Sequence, residues 1–215
     1  MIGDIMRISR LRMGTDGKGV TTLVAFFGCP LHCKYCINDF CHPGDRGDSV
    51  PRGSYTPAQL VNVLRKDDIY FKMSGGGITF GGGEPLLQSA FIHEVCKLAD
   101  PAWNMRIETS LNVPWYLVEP VVRDIDEWYI DIKETDWSIY EKYTGAENYN
   151  VIQNLFRLKD LGLIPKMHIR IPRIPGFNTE ENIQESIEWC DFLKGADIEV
   201  FDYIRTQEIN SNRWS

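Results

Sequence analysis

Short apolar runs alternate with longer amphipathic stretches along most of the chain. The short runs are rich in β-branched and aromatic residues, which is typical of buried strands, and the longer stretches repeat apolar residues at helical spacing. The pattern predicts six strands: 21–27, 77–80, 104–108, 127–132, 166–171 and 197–203. It also predicts five helices: 57–66, 88–99, 113–123, 150–161 and 179–193.

Repeated alternation of strand and helix predicts parallel strands joined by right-handed crossovers. Six such strands suit either an open doubly wound sheet or an incomplete barrel, and we favour an α/β fold that is a partial (β/α)6 TIM-like barrel. The length of 215 residues is that of one large domain. We therefore expect residues 1–215 to form a single domain, with 43–53 as a loop and 204–215 as a short C-terminal tail.

The formal net charge is −7, which argues against a nucleic-acid or anionic-membrane partner because both call for a basic face. No apolar stretch reaches the length needed to span a bilayer, and the first residues lack the apolar core of a secretory signal. We expect a cytoplasmic protein. Thiols stay reduced there, so the six cysteines are interpreted as metal ligands or core fillers. Cys96 and Cys190 lie on apolar faces of predicted helices and are expected to be buried and inert.

Ligands in parallel α/β folds bind at the carboxyl ends of the strands, so polar residues at the predicted strand ends are candidate ligand-binding residues. Each of the six predicted strand ends carries polar residues, and we expect all of these residues to lie on one rim of the fold. Glycine lets the backbone approach a ligand closely, which makes the glycine run after the second strand a candidate cradle. In strand order the ends read Cys29–Cys36, Gly81–Pro85, Glu108–Ser110, Asp131–Lys133, His168–Arg170 and Asp202–Tyr203.

Three cysteines, Cys29, Cys33 and Cys36, lie within eight residues. A cubane iron–sulfur cluster normally takes four thiolates, so three would leave one iron open to an exogenous ligand. The alternative is a structural zinc site completed by Cys41, His32 or His42, in which case the loop would have no catalytic role. Common zinc modules bring two close pairs of ligands, whereas these cysteines form one run without a matching downstream pair.

The cysteine spacing, with Tyr35 before the third cysteine, together with the Gly-Gly-Glu-Pro run after the second strand, resembles the radical S-adenosylmethionine (SAM) enzymes. The resemblance is closer to one branch, the activating enzymes of glycyl radical enzymes, which are pyruvate formate-lyase activating enzyme-like. In that branch a pattern similar to Asp16–Gly19 precedes the cysteine loop, here 28–38, and an asparagine similar to Asn38 follows it. The similarity covers about residues 16–203.

The resemblance implies an oxidoreductase of anaerobic metabolism with one [4Fe-4S] cluster on three cysteines. The open iron would chelate SAM, and reductive cleavage of SAM would give a 5′-deoxyadenosyl radical. That radical would abstract hydrogen from a glycine of a partner glycyl radical enzyme, with a flavodoxin- or ferredoxin-type electron donor. Two alternatives stay open: a radical SAM enzyme that modifies a peptide or small molecule, and a non-catalytic metal-binding or electron-transfer module.

The resemblance also assigns roles to individual residues. Tyr35 and Ile37 would flank the adenine, and Gly82, Gly83 and Glu84 would meet the methionyl ammonium. Lys133, counted with the cysteines as catalytic, would contact the carboxylate of SAM. Asp131 is its partner, and Arg170 would help to hold the cofactor. The alternative for these last three residues is a solvated ion-pair network.

The remaining assignments concern a cation, the substrate and the adenosine. Glu108, Thr109, Tyr129 and Asp131 resemble a monovalent-cation site. Asp16 resembles a residue that orients the glycine-bearing peptide, although a lone aspartate beside glycines is more often a turn former. The branch usually has a histidine near the adenosine where this chain reads Asp202-Tyr203-Ile204. The short tail is expected to leave the barrel mouth wide enough for a protein or peptide substrate.

Overall fold

The computed structural model describes residues 1–42 and 52–203. In this part of the chain the strands form an eight-stranded sheet with the order β3-β1-β2-β4-β5-β6-β7-β8. The strands are β1 (Gly3–Met13), β2 (Val20–Phe26), β3 (Gly53–Tyr55), β4 (Gly77–Gly82), β5 (Asn104–Thr109), β6 (Glu127–Asp131), β7 (Met167–Arg173) and β8 (Asp197–Asp202).

Six of these strands, β2 and β4 to β8, are the six that the hydrophobic pattern predicts, with each end within two residues of the expected position. β2 pairs parallel with β4, β4 with β5, and β7 with β8. The predicted α/β fold class is therefore confirmed at the level of strand order and direction. In β2 and β4 the register pairs Phe26 with Gly82, so both strands reach their carboxyl ends together.

Two strands at the edge of the sheet were not predicted. β1 pairs antiparallel with β2 and with the short β3. Only the first residues of β1 are regularly buried, because Arg7, Arg10 and Arg12 interrupt its apolar pattern. Charged residues are common on edge strands, where they discourage pairing with another chain, and here they hid the strand from the hydrophobic pattern.

The described residues contain seven α-helices, of which α2 and α5 were not predicted. The predicted helix 113–123 is shortened to one turn because Pro120 lacks the N–H that would continue it. The last predicted helix ends at Trp189 and continues as a 3₁₀ turn over Cys190–Leu193. The helices are α1 (Pro57–Leu64), α2 (Asp68–Ser74), α3 (Ser89–Leu98), α4 (Trp115–Val118), α5 (Trp137–Thr144), α6 (Tyr149–Asp160) and α7 (Glu180–Trp189).

The chain divides into two compact units. The first unit comprises Met1–Cys29, Phe40–Thr109 and Val113–Tyr129. The second comprises Pro30–Asp39, Ser110–Asn112 and the chain from Ile130 onward. Whether the chain is one domain, as the sequence predicts, stays a prediction.

Each unit has its own apolar core. In the first, the buried rings of Phe26, Phe80 and Phe91 pack together with centroids 6.1 and 6.2 Å apart. In the second, Leu155 and Ile169 are fully buried. None of the helices in the described residues is both long enough and apolar enough to cross a membrane. The predicted tail, 204–215, and most of the predicted loop 43–53 lie outside the described residues.

Candidate functional site

In the first unit, the backbone after β4 is hydrogen-bonded to the backbone after β2. The N–H of Gly83 donates to the carbonyl of Phe26 over 3.0 Å, and the N–H of Glu84 donates to the carbonyl of Gly28 over 2.7 Å. A Cβ on Gly83 would lie 2.2 Å from the Gly28 oxygen, so the approach requires glycine there. The glycine run is therefore fixed against the segment that leads into Cys29.

Glu84 is buried at this end of the sheet and is held by two donors. Its Oε1 accepts a hydrogen bond of 2.7 Å from the Thr109 hydroxyl and one of 3.2 Å from the N–H of Leu86. The second bond caps the 3₁₀ turn that begins at Pro85. Glu84 thus joins the carboxyl ends of β4 and β5, and its carboxylate has a fixed position.

In the second unit, the end of α5 holds the cysteine loop. The N–H of His32 donates to the carbonyl of Thr144 over 2.8 Å, and the N–H of Lys34 donates to the carbonyl of Tyr143 over 3.1 Å. These two bonds flank Cys33 on either side. The carbonyls are available because α5 ends there, with Gly145 in the left-handed conformation at φ 75°.

Four aromatic side chains of the second unit pack beside this loop. The Tyr143 ring meets the rings of Phe177, Tyr35 and Tyr203 edge-on, with centroids 5.1, 6.1 and 6.3 Å apart. The Tyr35 hydroxyl donates to the carbonyl of Pro175 over 3.1 Å, which fixes the ring that precedes Cys36. We call Tyr35, Tyr143, Phe177 and Tyr203 the aromatic cluster.

Asp131, Lys133 and Arg170 form one charged group at the ends of β6 and β7. Asp131 accepts from Lys133 Nζ over 2.8 Å and from Arg170 Nε over 2.6 Å. Burial would raise the pKa of Asp131, but the two cations outweigh it and lower that pKa. Burial would likewise lower the pKa of Lys133, but Asp131 and Cys33 raise it. The side chain of Lys133 is therefore positively charged at neutral pH, and it interacts electrostatically with Cys33.

The donor set fits a cubane cluster. Cys29, Cys33 and Cys36 are partly exposed, Cys29 in the first unit and the other two in the second. Within residues 1–42 and 52–203, no three His, Cys, Asp or Glu side chains are placed to bind a single ion. Thiolates of a cubane bind separate iron atoms and need not converge on one point. A lysine ammonium and a buried tyrosine near the thiols suit an anionic, sulfur-rich group.

The other three cysteines are buried or partly buried. Cys41, which the zinc alternative would use, is fully buried with Met6 and Ala25. Burial raises the pKa of both Cys96 and Cys190 to about 12, so neither thiol ionises at neutral pH. Cys190 is fully buried, whereas Cys96 is only partly so.

Two further predicted sites have other contacts in the structure. Asp16 is buried, forms an ion pair with Arg12 and accepts a bond of 3.3 Å from the Thr21 hydroxyl. Of the four predicted cation ligands, Thr109 and Asp131 already bond to side chains described above. Their roles, and that of the exposed Ile37 at the adenine, stay predictions.

Sequence reasoning missed Tyr143 and Phe177 as members of the site. The helix that carries Tyr143 has a readable signal, because Asp136 caps its start and Gly145 ends it. A search for such caps would have found α5. No local pattern marks Phe177, which lies in the loop after β7.

The fold and the cysteine loop define a class of protein. The Radical SAM superfamily model matches residues 23–190, and the chain belongs to that superfamily. Membership implies a [4Fe-4S] cluster and SAM as cofactors. Within the superfamily, the chain belongs to the branch of activating enzymes of glycyl radical enzymes, as the following relatives show.

Curated relatives share this chain over most of its length. It is 30% identical to the (2S)-3-sulfopropanediol dehydratase activating enzyme of Klebsiella oxytoca, over 99% of this chain and 84% of that protein. It is 27% identical to the 4-hydroxyphenylacetate decarboxylase activating enzyme of Clostridioides difficile, over 93% and 81%. With the pyruvate formate-lyase-activating enzyme of Clostridium pasteurianum the identity is 30%, over 79% and 69%.

Solved structures agree on the fold. A domain of pyruvate-formate lyase-activating enzyme from Bacteroides vulgatus superposes with a TM-score of 0.51 and 26% identity, covering 64% of this chain and 89% of that one. Streptococcus suis SuiB bound to S-adenosylmethionine has a TM-score of 0.63 over 86% of this chain and 42% of its own, at 17% identity. The second likeness is one of fold alone.

Proposed function

We propose that this protein activates a glycyl radical enzyme by removing a hydrogen atom from the α-carbon of one glycine in that partner. The cluster and SAM, when bound, supply the radical chemistry. The observation that carries the proposal for this chain is the Asp131–Lys133–Arg170 group, which brings two cations to the strand ends in the unit that contains Cys33 and Cys36.

The chain's own residues bind and orient the cofactors. Cys29, Cys33 and Cys36 provide three thiolates and leave the fourth position to SAM. Lys133 and Arg170 carry positive charge to which a carboxylate of SAM can bind, and Asp131 fixes both side chains. A cation held in a partly buried ion pair keeps its position without reorganisation, which favours orientation of a ligand.

Glu84 is proposed to bind the positively charged part of SAM. Its carboxylate is fixed by Thr109 and Leu86, and an acidic group with backbone carbonyls suits the methionyl ammonium. Tyr35 and Ile37 are proposed to flank the adenine, and Gly82 and Gly83 to let the backbone approach the ligand. Glu108, Thr109, Tyr129 and Asp131 are proposed to bind a monovalent cation.

The partner and the electron donor are both proteins in this proposal. The partner presents a glycine-bearing segment, and Asp16 with its ion-paired Arg12 is proposed to orient that segment. A flavodoxin- or ferredoxin-type protein in the cytoplasm supplies the electron. The relatives are named for activating three different enzymes, so the identity of the partner stays outside the proposal.

An anaerobic reconstitution tests the proposal. The protein is loaded with iron and sulfide, then incubated with reductant, SAM and each of the three partner types named above. We expect a glycyl radical signal in electron paramagnetic resonance, together with 5′-deoxyadenosine. Cys33→Ala should abolish both, and Cys96→Ala should abolish neither.

The products separate the alternatives. Deoxyadenosine with a mass change in a peptide or small molecule, and no partner radical, would overturn activation in favour of a modifying enzyme. No deoxyadenosine from cluster-loaded protein would mean a non-catalytic metal-binding or electron-transfer module. Zinc in place of iron after anaerobic purification would contradict the presence of an iron–sulfur cluster.

A further inference from the structure

Tyr143 combines complete burial with a hydroxyl that lacks a hydrogen bond of regular geometry. Its side chain is 0% exposed, and its hydroxyl makes no hydrogen bond of regular geometry within the described residues, although it interacts with the Tyr203 side chain. Leaving a buried hydroxyl without a well-formed hydrogen bond costs free energy. A polar group that the fold buries at such a cost calls for a partner that this structure does not contain.

The surroundings of Tyr143 indicate where that partner belongs. The backbone carbonyl of Tyr143 accepts from the N–H of Lys34, so the residue is fixed to the cysteine loop by its own main chain. Burial raises the pKa of its hydroxyl most, and interactions with Tyr203, Cys33 and Cys36 raise that pKa further. The thiols of Cys33 and Cys36 and the side chain of Tyr203 are thus the groups that interact with the Tyr143 hydroxyl.

The ring of Tyr143 has little freedom to move away. Three aromatic neighbours contact it edge-on, and one of them, Tyr35, is tied through its own hydroxyl to Pro175. A phenol ring held in this way loses little further conformational entropy when its hydroxyl forms a hydrogen bond. All these residues belong to the second unit.

We propose that Tyr143 is a positioning residue for the cluster, whose hydroxyl donates a hydrogen bond to sulfur at the Cys33–Cys36 side of the cysteine loop. The inference rests on the proposed function only in requiring that this loop holds the cluster. Hydrogen bonds to the sulfurs of a cluster stabilise its more negative, reduced state and so raise its reduction potential. Tyr143 therefore makes the cluster easier to reduce.

The test is Tyr143→Phe, which removes one oxygen and keeps the ring. Tyr140→Phe is the matched control, because Tyr140 is also buried on α5 but its hydroxyl already accepts from Asn112 Nδ2 over 3.0 Å. Each variant is reconstituted anaerobically, and its cluster is titrated with mediators and followed by electron paramagnetic resonance. We expect a more negative midpoint potential for Tyr143→Phe and the wild-type value for Tyr140→Phe.

The stability of the cluster-free proteins provides a second measurement. In it, the control variant Tyr140→Phe is expected to show the loss and Tyr143→Phe is not. Tyr143→Phe removes a hydroxyl that lacks a hydrogen bond of regular geometry and should leave the urea midpoint unchanged or raised, whereas Tyr140→Phe removes a used hydrogen bond and should lower it. An unchanged potential in Tyr143→Phe would overturn the inference. A shift found in Tyr203→Phe but not in Tyr143→Phe would overturn it too, because the donor would then be Tyr203.

The outcomes separate this inference from the proposed function. If wild-type protein assembles no cluster, the proposed function fails at its first step. If the cluster forms, cleaves SAM and shows the same potential with and without the Tyr143 hydroxyl, only the role of Tyr143 fails.

Discussion

The hydroxyl of Thr109 donates a 2.7 Å hydrogen bond to Oε1 of Glu84, and both residues are buried. One stands at the end of β5 and the other directly after β4, so the bond joins two neighbouring strand ends. It fixes a carboxylate at the end of the sheet where ligands of parallel α/β folds bind. The relationship makes Thr109 a residue that orients Glu84.

Thr109→Val keeps the shape of the side chain and removes this donor. A hydrogen bond to a charged group contributes about 1.5–3 kcal/mol, so we expect a loss of that order in the free energy of unfolding and weaker binding of SAM. Urea unfolding and equilibrium binding would measure the two effects. Thr22→Val is the control, since the Thr22 hydroxyl also donates to a buried carboxylate, that of Asp67, over 2.8 Å. It should lose stability and keep the affinity; equal affinity losses in both variants would contradict the role of Thr109.

Lys133→Ala removes a cation proposed to bind the carboxylate of SAM. Loss of one charge-assisted contact should weaken SAM binding about ten- to a hundredfold while the iron content stays at the wild-type level. Lys97→Ala provides the comparison, because Lys97 is exposed and forms an ion pair with Glu94. Binding titrations on cluster-loaded protein would decide. Unchanged affinity in Lys133→Ala would remove this lysine from the site.

The ion pairs of Asp131 predict a pH dependence of stability. Its pKa is lowered in the folded protein, so the folded state stays ionised where the unfolded chain, with a pKa of about 3.9, takes up a proton. Its stabilising contribution is therefore complete above the unfolded pKa and is lost as pH falls through the folded value. The stability gap between wild type and Asp131→Asn should be constant near neutral pH and shrink below about pH 4. Urea unfolding between neutral and acid pH would measure it, and a gap that widens on acidification would reverse the sign argued here.

Gly83→Ala tests the close approach of the two backbones after β2 and β4. The added Cβ would meet the Gly28 oxygen at 2.2 Å, and neither main chain can move without breaking the bonds that join them. We expect about 3 kcal/mol of destabilisation and loss of SAM binding. Gly162→Ala has open space around the new Cβ and only an unfavourable φ of 76°, so about 1 kcal/mol is expected there. Similar losses in the two variants would refute the steric argument.

Local sequence determined much of this protein. The six predicted strands follow from short runs rich in apolar residues. Those of β2, β4 and β5 are mostly buried, whereas buried and partly buried positions alternate in β6. The cysteine loop and the glycine run are also local, since their chemistry lies within a few consecutive residues. These features could be predicted because every residue that defines them is a near neighbour in the chain.

Other features required the tertiary structure. β1 is a strand because it pairs with β2, although its arginines hide the pattern. Leu111 adopts a positive φ of 56° while fully buried, which no propensity of leucine predicts and which only packing can impose. The hydrogen bond between Thr109 and Glu84 joins residues 25 positions apart.

The clearest division lies at Tyr143. The sequence determined that a thiol-rich loop would follow the first predicted strand, because thiol chemistry is a property of the residues themselves. Only the fold decided that a tyrosine more than a hundred positions later would be buried where its hydroxyl interacts with Cys33 and Tyr203 and makes no hydrogen bond of regular geometry among the described residues. Burial and hydrogen bonding depend on which distant elements meet, and that is set by packing of the whole unit.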